Sequence, residues 1–273
     1  MTRRVALILA AVSLGALAGC DGVAGARMTF EDVEKTKITE IALAGGSGDV
    51  SVTTESGATE TQIRRIVRGI TSPDTSYQVA GGVLTLNTDC GPDCHLSYEI
   101  TAPPGVAVRG EMRSGDVMLS AVGTIDVKMT SGDVMIDRAT GPVSLEMTSG
   151  DVMVENTSEP VKVRSTSGDL MVVGGGPVDV EARAGNVDVT DGKGPVTARL
   201  TSGDISLSLS AASSVTASTG SGEISLMVPP GDYRVSAVSG NGEAVVENVK
   251  NNPAATNVLE LRSRSGDVAV IAG

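Results

Sequence analysis

The sequence predicts an all-β fold: a right-handed single-stranded β-solenoid, or β-helix, with two strands per rung. Three observations predict it. First, Ser-Gly-Asp or a near copy recurs at Ser114-Gly115-Asp116, Ser131-Gly132-Asp133, Ser149-Gly150-Asp151, Ser167-Gly168-Asp169, Ala184-Gly185-Asn186, Ser202-Gly203-Asp204, Ser221-Gly222-Glu223 and Ser239-Gly240-Asn241, with glycines 17, 18, 18, 17, 18, 19 and 18 residues apart. A fixed short period marks a repeat architecture, here with rungs of about 18 residues. Second, apolar residues alternate on both sides of each Gly. Third, the outward charges change sign from one repeat to the next.

The first strand of a repeat has apolar residues seven and five before the Gly, as in Val143 and Leu145 or Val161 and Val163. The second has them two and four after it, as in Val152 and Val154 or Leu170 and Val172. Alternation of this kind buries one face of a strand. Gly supplies the positive φ of the turn between the strands, and Ser and Asp bond nearby backbone. The second turn ends in Pro142, Pro160, Pro177 or Pro195, where loss of a ladder donor is tolerated. Outward positions read Glu111, Lys128, Glu146, Arg164, Glu181, Arg199. Opposite charges help only where strands are neighbours, so consecutive repeats are expected to stack in parallel. The bias of parallel crossovers gives the right hand.

The register recurs around Gly48 (Ile41, Leu43, Val50, Val52) and Gly266 (Leu259, Leu261, Val268, Val270). The solenoid is therefore expected over residues 38–273, with nine to ten rungs counted from the glycine register. Residues 55–105 read as an inserted hairpin segment and 245–258 as a shorter excursion. Tyr77–Val79 and Val83–Leu86 flank a turn at Ala80-Gly81-Gly82, and Leu96–Thr101 is a further strand.

Residues 1–19 read as a signal peptide: Arg3 and Arg4, an apolar run from Val5 to Ala16, then small residues. Leu17-Ala18-Gly19-Cys20 resembles the bacterial lipobox, which implies lipidation of Cys20. Residues 20–37 are expected to be a tether. The protein would then sit on the extracytoplasmic face of the cell membrane, with its lipid anchor as its membrane partner. Stable attachment needs more than one acyl chain. Cys90 and Cys94 remain as a pair, and outside the cytoplasm a disulfide is the default. The formal net charge of −12 becomes −14 once Arg3 and Arg4 leave with the leader. Such acidity argues against nucleic acid as a partner.

Leu96-Ser97-Tyr98-Glu99-Ile100-Thr101-Ala102-Pro103-Pro104-Gly105 runs straight into the Ser-Gly-Asp-Val repeats. This resembles a bacterial family of candidate adhesin domains of unknown function, whose β-solenoid fold is called toastrack. The resemblance covers roughly residues 38–273. It implies an envelope protein built for interaction and brings no catalytic residues.

The sequence offers no expected catalytic residues, metal ligands or cofactor site. His95 is the single histidine and reads as a loop residue beside Cys94. Asp116, Asp133, Asp151 and Asp169 should form a column about 4.8 Å apart. That spacing suits turn structure, a calcium ladder or paired glycosidase carboxylates. Recurrence in every rung, with local amides to satisfy each acid, favours the turn. Met118, Met135, Met153 and Met171 lie three after Gly on four consecutive rungs and face outward. They form either a partner surface or a stripe buried under segment 55–105. Met112, Met129 and Met147 fall on the inward phase. The expected function is a non-enzymatic cell-envelope lipoprotein presenting a β-solenoid for binding, adhesion or scaffolding, toward another envelope protein or a surface ligand. The alternatives are a polysaccharide-active β-helix enzyme and a partner protein in envelope-stress signalling.

Overall fold

The computed structural model describes residues 26–69 and 76–273. The signal peptide 1–19 and Cys20 lie outside the described residues. The described residues are all-β, with two largely parallel sheets of 13 and 12 strands. Each regular rung gives one strand to each sheet. These rungs are β2 (Glu40–Ala44) with β3 (Val50–Thr54), β8 (Ala107–Met112) with β9 (Val117–Ser120), β10 (Ile125–Met129) with β11 (Val134–Asp137), and β12 (Val143–Ser149) with β13 (Val152–Glu155). They continue as β14 (Val161–Ser167) with β15 (Leu170–Val173), β16 (Val178–Ala184) with β17 (Val187–Gly192), β18 (Val196–Ser202) with β19 (Ile205–Leu209), and β20 (Val215–Thr219) with β21 (Ile224–Val228).

The register is in step from rung to rung. Val143 faces Ile125 on one side and Val161 on the other, all three buried. Lys128 faces Glu146 at 2.8 Å, and Arg164 faces Glu181 at 3.1 Å. The carbonyls of Pro142, Pro160 and Pro177 accept from the N–H of Ile125, Val143 and Val161, so Pro gives up a donor while its acceptor still bridges rungs. Gly150 shows why the turn residue is fixed: its φ is 118°, and a Cβ there would strike the carbonyl oxygen of Gly132 in the rung before. Sequence-local turn geometry and rung-to-rung approach both exclude a side chain.

The ends depart from the simple series. β6 (Val83–Leu86) and β7 (Cys94–Ala102) form a rung that stacks outside β2/β3, before the chain returns to β8. Segment 55–105 therefore extends the end of the stack and does not fold over its face. The hairpin partner of β6 is β5 (Tyr77–Ala80), and β4 (Thr61–Gly69) runs antiparallel to β7. Residues 26–34 depart from the expected tether: they form β1 (Ala26–Glu34), antiparallel to β4. Met28 and Phe30 pack on the core, and Arg65 stacks over Phe30 at 5.0 Å and Tyr77 at 5.4 Å while bonding Asp32 at 3.2 Å. One partly buried cation with two aromatic neighbours thus pins the strand.

At the other end, β24 (Asn257–Ser265) and β25 (Val268–Ala272) stack directly on β20/β21. The rung that precedes them in sequence, β22 (Tyr233–Asn241) with β23 (Ala244–Glu247), is displaced to the outside. Its turn is Asn241-Gly242-Glu243, not Ser239-Gly240-Asn241, because Val235 and Ala237 align with Leu259 and Leu261 and Val246 aligns with Val270. The reason is apolar content. Leu259, Leu261, Val268 and Val270 are fully buried, whereas the smaller set of the displaced rung stays on an open edge. Each buried CH₂ is worth about 0.8 kcal/mol, so the bulkier rung takes the interior place. Including β6/β7 and β22/β23, eleven rungs stack among the described residues, against the nine to ten expected from the glycine register.

Candidate functional site

Three features could carry chemistry or contacts: the turn acids, the cluster around His95 and the methionine column. The acids form a hydrogen-bonded ladder. The Asp133 N–H donates to Asp116 Oδ1 at 3.2 Å, Asp151 N–H to Asp133 Oδ1 at 2.9 Å, and Asp169 N–H to Asp151 Oδ1 at 2.8 Å. The ladder continues through Asn186, whose N–H donates to Asp169 and whose Oδ1 accepts from Asp204. Each acid thus serves the next rung's amide; sequence reasoning placed that bond within its own turn. Asn186 shows that the negative charge is dispensable to the ladder. Among the described residues no three His, Cys, Asp or Glu converge as a metal site.

Asp49 is the first member of this ladder, accepting from the Asp116 N–H at 3.2 Å. Its Oδ2 also meets His95 Nε2 at 3.3 Å and the Ser97 hydroxyl at 3.2 Å. Partial burial works to raise the Asp49 carboxyl, but the Asp116 N–H and His95 outweigh it and hold it below the ordinary carboxylate range. A catalytic relay needs Ser bonded to His and His bonded to Asp. Here Ser and His both converge on Asp49, so Ser97 has no base. His95 lies on β7 and not in a free loop; the strand's pairing with β3 brings it to the ladder. Cys90 and Cys94 are joined by a disulfide just before it.

The methionine column is the third feature. Met118, Met135, Met153 and Met171 are register partners on β9, β11, β13 and β15. Met118 is 49% exposed, Met135 46% and Met171 39%, with Met153 half-buried. They lie with the turn acids Asp116, Asp133, Asp151 and Asp169 along one shallow groove of about 520 Å³. Met112, Met129 and Met147 are buried in the core. The outward methionines were visible in the sequence; the insert's position at the end of the stack, which leaves them uncovered, was not.

Residues 28–271 match the family described as Toastrack DUF4097. The chain belongs to the Toastrack DUF4097 family. Among solved structures the chain is similar to a candidate adhesin from Bacteroides fragilis, 15% identical, with 91% of this chain and 98% of that chain covered and a TM-score of 0.42. A candidate adhesin from Parabacteroides distasonis is 13% identical, covers 92% and 98%, and has a TM-score of 0.45. One from Parabacteroides merdae is 11% identical, covers 92% and 97%, and has a TM-score of 0.32. No curated protein matches the chain. The adhesin names belong to those proteins. For this Toastrack chain the residues themselves must carry the functional argument.

Proposed function

We propose that this protein is a non-enzymatic lipoprotein of the cell envelope, held through Cys20 on the extracytoplasmic face of the membrane. It presents its solenoid for binding, in adhesion or in scaffolding of another envelope component. The observation that carries this reading is the exposed column Met118, Met135 and Met171 on a chain of formal charge −12. An apolar stripe in water is a cost that contact with a partner removes, and methionine adapts to partners of varied shape. The leader and lipobox support export and anchoring, and the Cys90–Cys94 disulfide agrees with an oxidising compartment.

The regularity of the acids speaks for a binding surface over a polysaccharide-cleaving site. An active site needs unlike neighbours, and the ladder repeats one bond in rung after rung. The test is a photo-crosslinking residue placed at Met135 in cells, with a second at Lys162 on the opposite sheet. Crosslinks to an envelope component at Met135 alone, lost when the other three outward methionines become Thr, support the proposal. Equal crosslinking at both positions would sink it. Cys20→Ala should release the protein from the membrane fraction.

A further inference from the structure

The outward methionines share more than hydrophobicity. Four methionines occupy the same register position on four consecutive parallel rungs, and neighbouring strands lie about 4.8 Å apart. Thioethers are soft, uncharged donors, and soft sulfur ligands select Cu(I). A metal–sulfur bond is about 2.3 Å in zinc–thiolate sites. With that length, two sulfurs sharing one ion lie up to about 4.6 Å apart, close to the rung spacing. Three rotatable bonds let each side chain close the remaining difference.

The surroundings favour a cation. The four aspartates of the turn ladder line the same groove, and Asp188 continues the column in register after Met171. Their charge raises the local concentration of cations. Carboxylates alone prefer hard ions such as magnesium and calcium, so selectivity would rest with sulfur.

We propose that the Met118–Met171 column is a binding site for a soft monovalent cation, Cu(I) or its analogue Ag(I), held by thioethers from two neighbouring rungs. The inference goes beyond the partner reading and stands without it. Leucine in place of methionine keeps the apolar surface and removes every sulfur.

The experiment titrates silver nitrate into the full chain in detergent, in chloride-free buffer, and follows the ¹³C-labelled methionine methyl groups by NMR. Saturable shifts are expected at Met118, Met135, Met153 and Met171, with the core residues Met112, Met129 and Met147 unmoved and calcium without effect. The quadruple variant M118L/M135L/M153L/M171L should bind Ag(I) at least tenfold more weakly, while its far-ultraviolet circular dichroism stays that of the wild-type fold. Silver binding undiminished in that variant, or wild-type methyl shifts absent from the four outward methionines, overturns the proposal. If the variant does not fold, the wild-type methyl shifts decide alone.

Discussion

The close approach of rungs at the glycine column makes Gly150→Ala the sharpest test of the stacking. The φ of 118° at Gly150 is strained for any residue with a Cβ, which costs about 1–3 kcal/mol. The new methyl group also meets the Gly132 carbonyl, which is backbone held by the ladder and cannot swing aside. Overpacking of this kind adds about 1–3 kcal/mol. The expected loss is therefore about 2–6 kcal/mol. Gly174→Ala is the control: its φ is 68° and nothing lies within 4 Å of the added Cβ. Only conformational strain remains there, about 1–2 kcal/mol. Chemical denaturation followed by far-ultraviolet circular dichroism measures both. Because each repeat touches only its neighbours, hydrogen exchange should show protection lost first in β10 to β15. If Gly150→Ala costs no more than Gly174→Ala, the argument from rung-to-rung contact is wrong.

Four further outcomes follow from the structure. Asp151→Ala should destabilise by about 1 kcal/mol through loss of the Asp169 amide's acceptor, while Asp151→Asn should be near neutral, since Asn186 already fills that role in its own rung; equal effects of the two by denaturation would dismiss the ladder. Calcium should leave the melting temperature nearly unchanged, and a rise of several degrees would reinstate a cation ladder. The Tyr98 phenol is pushed up to about 12, chiefly by burial. Its unfolded counterpart loses the proton first as pH rises above about 10, so stability should fall between about pH 10 and 12, and Tyr98→Phe should make that fall shallower in alkaline denaturation, leaving the share of Tyr77 and Tyr233, whose phenols burial also raises. Glu146 is held below the ordinary carboxyl range by its hydrogen bond from Lys128; its stabilisation is present above the unfolded value and lost as pH falls through the folded one. Lys128→Met should return it toward the ordinary value in a carboxyl NMR titration.

Period, alternation and the sign of outward charges were enough to read the regular rungs from β8 to β21. Each signal there is local or repeats at the next rung, and identical neighbours leave one register that satisfies them all. The same reasoning found the β5–β6 hairpin and the outward phase of the four methionines. It missed β4 and β1, since Thr61–Gly69 and Ala26–Glu34 belong to no repeat. It also misplaced the turn between β22 and β23 by taking Gly240 for Gly242, although the apolar spacing of Val235, Ala237, Ala244 and Val246 was in view.

The sequence by itself determined the repeat, its parallel stacking and the facing of each side chain, because a strand's alternation and a turn's glycine are written into neighbouring residues. Only the tertiary structure decided which rung stands at each end, how the Asp ladder bonds and whether the methionine stripe is covered. Those outcomes depend on competition between segments far apart in the chain. The bulk of Leu259 and Leu261 against Val235 and Ala237, and the grip of Arg65 on Phe30 and Tyr77, are settled only when those segments meet.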